Sequence, residues 1–110
     1  MDRPVKTLHF IGIGGIGMSG IAEILLSMGH RVTGSDRQKT DITAYLEKKG
    51  AIVYEGHHQK HVGYVDFIVY SSAVSVENPE MQEAARRGIP LIRRADMLGQ
   101  LMNRHYGIGV

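Results

Sequence analysis

The chain contains no cysteine. That excludes disulfides and most structural zinc sites, and it fits a reducing compartment. Proline occupies only three positions and charged residues make up 22% of the 110, so neither a proline-rich tract nor a charge-driven disordered region is present. There is no long apolar run: Met1-Asp2-Arg3-Pro4 leads into a short apolar stretch broken by glycines, which is neither a signal peptide nor a membrane span. Lys and Arg are scattered, the net charge is only +2, and the basic stripe expected of a nucleic-acid binder is missing. What remains is a chain of one-domain length, 43% hydrophobic, able to bury a core.

Apolar β-prone segments alternate with segments of helical period. Lys6 to Ile11 reads as a strand. Gly15 to Met28 carries Met18, Ile21, Ala22, Leu25 and Met28 at the spacing of one helix face. His30 to Gly34 is a second strand. Thr40 or Asp41 caps a second helix, with Ile42, Tyr45 and Leu46 inward and Gly50 ending it. Ala51 to Tyr54 is a third strand, Glu55 to Gly63 a loop or distorted helix, and Asp66 to Tyr70 a fourth strand. Asn78-Pro79-Glu80 combines a cap, a proline at the first helical position and an acid that favours the positive end of the helix dipole. Met81, Ala84 and Ala85 face inward there. Ile89 to Ile92 is a fifth strand, Met97, Leu98, Leu101 and Met102 mark a last helix, and Tyr106 to Val110 a sixth strand. The methionines are mostly core residues. This alternation predicts an α/β, Rossmann-like, doubly wound sheet, mostly parallel, of five to six strands in order 3-2-1-4-5-6 with helices on both faces. In such sheets function sits on loops at the carboxyl ends of strands. Val110 stands where the next such loop would begin, so a longer parent protein is expected.

Gly12-Ile13-Gly14-Gly15-Ile16-Gly17 matches G-x-G-x-x-G between a strand and a helix, the context that gives the motif meaning. Glycine permits the tight turn and close backbone approach, and the helix start favours an anion. The dipole supplies only ~0.3–2 kcal/mol, whereas micromolar binding needs about 8 kcal/mol, so further contacts are required. Asp36, 19 residues after Gly17, lies near the position of a ribose-binding acid, or belongs to a plain turn. Ser71-Ser72-Ala73 ends the fourth strand beside the switch point, either as ligand contacts or as a polar strand end. With no G-x-S-x-G it is not a nucleophile elbow. His57, His58 and His61 have metal-like spacing in part, but no cysteine or well-spaced carboxylate completes a site, and a solvated loop is the simpler reading. Arg93 and Arg94 are available to a phosphate or to solvent alike. These features leave two classes open: an NAD(H)-binding domain of a dehydrogenase or sensor, and a nucleotide-sugar-binding domain of a larger enzyme.

Four blocks in order carry a resemblance: His9 to Glu23, Val32 to Asp36, Ser71 to Val74 with Asn78-Pro79-Glu80, and Arg93 to Leu98. Together they resemble the opening of the Mur ligase family, in its bacterial UDP-N-acetylmuramate–L-alanine branch more than in its peptide-recycling branch. The resemblance implies that residues 1–110 form a UDP-N-acetylmuramate-binding N-terminal domain of a cytoplasmic enzyme of peptidoglycan biosynthesis. Gly14, Gly15, Ile16, Gly17 and Met18 would wrap the diphosphate. Ser35 and Asp36 would meet the uridine, Ser71, Ser72 and Ala73 would line the cleft, and His57 would contact ligand. It assigns no catalytic residue and no metal ligand to this chain. In the whole enzyme ATP would phosphorylate the substrate carboxylate and the L-alanine amine would displace phosphate, with Mg²⁺ and a phosphate-loop lysine neutralising charge. No G-x-x-x-x-G-K-[ST] occurs here, so the chain alone is expected to be inactive and to need no cofactor of its own.

Overall fold

The computed structural model describes residues 5–97. Five strands, β1 (Thr7–Ile11), β2 (Arg31–Asp36), β3 (Ile52–Glu55), β4 (Phe67–Tyr70) and β5 (Leu91–Arg93), form one sheet in order β3-β2-β1-β4-β5. Every pairing is parallel. This is the predicted order as far as the described residues reach. The predicted sixth strand and the residues Leu98, Leu101 and Met102 of the last helix lie outside them.

The period of two along each strand divides the core. Leu8, Phe10, Val32, Val53 and Val69 pack on one face against Met18, Ile21, Ala22 and Leu25 of helix α1 (Ile16–Ser27) and Leu46 of helix α2 (Asp41–Lys48). Ile11 and Ile68 pack on the other against Met81 and Ala84 of helix α3 (Pro79–Arg87) and against Val62. Each helix is ended by geometry its sequence announces, as at Gly88, which takes φ 71° and closes α3.

Four residues expected to face inward are exposed. Ile42 and Tyr45 are exposed, and α2 buries Thr43 and Leu46 instead. Thr43 is turned inward by a reciprocal capping box with Thr40, which rotates the helix face by a residue. Tyr45 then donates its hydroxyl proton to Glu23 of α1 across an outer groove. Met28 is also exposed, because α1 ends one residue before it. In α3 it is Glu80, not Ala85, that is buried beside Met81 and Ala84. The loop after β3 contains one 3₁₀ turn, Gln59–His61.

Candidate functional site

The glycine-rich turn leaves the carboxyl end of β1 and is bolted to β2. Gly12 takes φ 84°, which reverses the chain, and the N–H groups of Gly12 and Ile13 donate to the Ser35 carbonyl at 2.8 and 3.0 Å. Ile13 plugs the core over Gly34. A Cβ at Gly34 would lie 2.6 Å from Ile13 Cδ1 and 2.7 Å from its Cβ, so β2 must be glycine there.

Two N–H groups assigned to the ligand are already bonded inside the protein. Gly14 donates to Asp36 Oδ2 at 2.8 Å and Gly15 to the Gly12 carbonyl at 3.1 Å. One step further on, the N–H groups of Ile16, Gly17 and Met18 have no acceptor among the described residues. Helix α1 has no side-chain cap and no acid in its first turn. By contrast α2 is capped by Thr40 and carries Asp41, and α3 is capped by Asn78 and carries Glu80. Over the same turn lies Arg94. A Cβ on Gly17 would come within 2.9 Å of its Nη1, and the guanidinium has no hydrogen-bonding or ionic partner among the described residues. An unpaired cation resting on the positive end of a helix dipole is electrostatically unfavourable until an anion joins them.

All the other predicted residues also sit at carboxyl strand ends: Ser35 and Asp36 on β2, His57 just after β3, Ser71 to Ala73 after β4, as Arg94 does after β5. The turn after β4 is closed by the Val74 N–H donating to the Ser71 carbonyl at 3.0 Å, with Ser72 and Ala73 exposed. Ser35 and Asp36, however, point to opposite faces. Asp36 serves the glycine turn, while Ser35 is wholly buried under the sheet.

There Ser35 joins a polar cluster that the sequence reading did not find. Glu80 is fully buried. Its Oε1 accepts from His9 Nε2 at 2.6 Å and from Ser35 Oγ at 2.7 Å. Its Oε2 accepts from the His58 N–H at 3.1 Å and from His61 Nδ1 at 2.9 Å, with His57 Nδ1 at 3.6 Å. Ser35 Oγ also meets His57 Nδ1 at 3.0 Å, and His9 Nδ1 meets Thr33 Oγ1 at 2.7 Å. His61 stacks on Tyr54, and His58 accepts from the Lys60 N–H to close the 3₁₀ turn. The three loop histidines thus orient one carboxylate and one turn. The hint in the sequence was His9, a polar residue inside an apolar strand, which needs a buried partner.

Burial pushes the Glu80 carboxyl up, but the hydrogen bond and charge of His9 and the bonds from Ser35 and His61 outweigh it and bring it down from 4.5 to about 2. A lowered pKa in the folded state stabilises the fold above the unfolded value and loses that contribution as pH falls. Stability is therefore expected to drop between pH 4.5 and pH 2. Urea midpoints across that range should fall more steeply for the wild type than for Glu80→Gln. Parallel slopes would show that Glu80 does not titrate there.

A parallel sheet in this strand order, with an uncapped glycine turn at its switch point, defines the Rossmann-like class of α/β domains. Residues 7–106 match the family model described as Mur ligase family, catalytic domain. The chain belongs to the Mur ligase family. It is 54% identical over 107 residues to the UDP-N-acetylmuramate–L-alanine ligase of Salinibacter ruber, covering 96% of this chain and 22% of that protein. The crystal structure of the UDP-N-acetylmuramate–alanine ligase of Thermotoga maritima superposes with a TM-score of 0.89 at 34% identity, covering 92% of this chain and 24% of that one. A murein peptide ligase from Psychrobacter arcticus gives 0.83 at 26%, covering 91% and 22%. The chain spans about a quarter of the length of the relatives it matches.

Proposed function

We propose that this chain is the N-terminal substrate-binding domain of an ATP-dependent ligase that joins L-alanine to UDP-N-acetylmuramate in bacterial peptidoglycan biosynthesis. The observation that carries the binding role is the uncapped start of α1 lying against Arg94, which has no partner among the described residues. The N–H groups of Ile16, Gly17 and Met18 and the Arg94 guanidinium would take the diphosphate. Gly14 would anchor the turn to Asp36, Gly15 would leave room for the diphosphate, the Asp36 oxygen not bonded to Gly14 would meet the uridine, and Ser71, Ser72, Ala73 and His57 would line the cleft. The identity to alanine-adding ligases, higher than that to the murein peptide ligase, supports the choice of branch.

ATP and Mg²⁺ do not fit the described residues. Asp36 holds Gly14, Glu80 is buried under four donors, and the glycine turn after β1 has no lysine at its end. The domain's part in the reaction is to hold one substrate still, converting an encounter into a positioned reaction once the other domains supply ATP and the amino acid.

The test is a parallel titration of the 110-residue chain with UDP-N-acetylmuramate, UDP and NAD⁺, followed by amide shifts. The UDP ligands should saturate, and NAD⁺ should leave the spectrum unmoved. Saturable NAD⁺ binding without a response to UDP would replace this reading by a dinucleotide domain.

A further inference from the structure

The buried cluster under the sheet has a consequence for His57, which with His61 turns Nδ1 into the cluster while its ring stays part-exposed, and which alone of the two bonds Ser35. A serine hydroxyl carries a single proton, and an ionised carboxylate can only accept. Ser35 Oγ donates that proton to Glu80 Oε1 at 2.7 Å. The 3.0 Å contact between Ser35 Oγ and His57 Nδ1 must then run the other way, with Nδ1–H as donor. Glu80 Oε2, 3.6 Å from the same nitrogen, holds negative charge on that edge of the ring and favours the proton there. The partner of one imidazole nitrogen decides the state of the other. A neutral His57 therefore has a bare lone pair on Nε2. That atom has no partner among the described residues, and no buried side-chain nitrogen there lacks one, so Nε2 faces solvent.

We propose that Ser35 and Glu80 are positioning residues that hold His57 in the Nδ1–H tautomer, so that its outward Nε2 accepts a hydrogen bond from an uncharged donor of the nucleotide. This rests on the reading of the cleft as a UDP site. A diphosphate has no proton to give at neutral pH, so the donor is a ribose hydroxyl or the uracil imide N–H. His57 thereby selects for the nucleoside, while α1 and Arg94 serve the phosphates.

Long-range ¹H–¹⁵N correlation on the ligand-free chain at pH 8 reads the tautomer directly. Protonated Nδ1 is expected in the wild type, shifting toward protonated Nε2 in Ser35→Ala. Losing one oriented hydrogen bond should weaken UDP about tenfold in Ser35→Ala, with pyrophosphate binding unchanged. In a His57→Ala background the same serine change should alter UDP affinity less than about twofold, because the serine acts through the histidine. Dideoxyribosyl and N3-methyl analogues of UDP separate the two donors: the analogue insensitive to Ser35→Ala lacks the group that His57 reads. Protonated Nε2 in the wild type overturns the proposal, as does a serine effect that persists without His57. If the tautomer is as stated and the wild type binds no UDP, the nucleotide reading falls and the orientation of His57 stands.

Discussion

Glu80→Ala is expected to destabilise the fold by about 3–5 kcal/mol, the range for removing one partner of a buried ionic cluster. The truncation strips the acceptor from His9 Nε2, Ser35 Oγ, the His58 N–H and His61 Nδ1 at once. His9 and Ser35 are fully buried, so water cannot replace what they lose without opening the layer between α3 and the sheet. For a domain of this size the melting temperature should fall by at least about 12 °C. Glu80→Gln keeps the volume and one acceptor oxygen and should cost less than half as much. Urea denaturation of the three proteins provides the comparison. A loss below about 1 kcal/mol for Glu80→Ala would mean that the four donors find other acceptors and that the cluster does not hold the layers together.

Gly15→Val should leave the fold intact and reduce UDP affinity by at least about a hundredfold, near 2.7 kcal/mol. Gly15 has φ −66° and ψ 152°, a conformation any residue adopts. A Cβ there meets only ordinary contacts, 3.4 Å to the Gly12 carbonyl and 3.7 Å to Met18 Cγ. The ligand-free fold therefore gives no reason for glycine at this position, and the reason must lie with what approaches the first turn of α1. Gly17 and Gly34 are less discriminating sites: a side chain at the first displaces Arg94, and one at the second collides with Ile13. Circular dichroism checks the fold and calorimetry the affinity. A folded Gly15→Val chain that binds UDP like the wild type would move the diphosphate away from this turn.

Local physics wrote most of the architecture into the sequence. The 3.6-residue spacing of Met18, Ile21, Ala22 and Leu25, the cap and proline of Asn78-Pro79, and the stops at Gly29, Gly50 and Gly88 each act within a few residues, so periodicity and turn chemistry reveal them. Parallel connectivity follows from the alternation itself, and with it the rule that residues at carboxyl strand ends gather on one edge. That is why the glycine turn, Asp36 and Ser71 are legible as a group, whereas His57 stands out only through the family resemblance.

Tertiary structure alone decided which way those residues face and what they already hold. Ser35 and Asp36 are neighbours in the chain, yet the pleat sends one beneath the sheet to Glu80 and the other to Gly14. Thr43 took the inward place expected of Ile42 and Tyr45 because its cap set the rotation of α2. Glu80 looked like a dipole-favouring acid in a first helical turn. Its partners His9 and Ser35 stand 71 and 45 residues away, and no local period encodes a pairing at that distance. A buried charge is stable only where several elements converge on it, so its role exists only in the assembled fold.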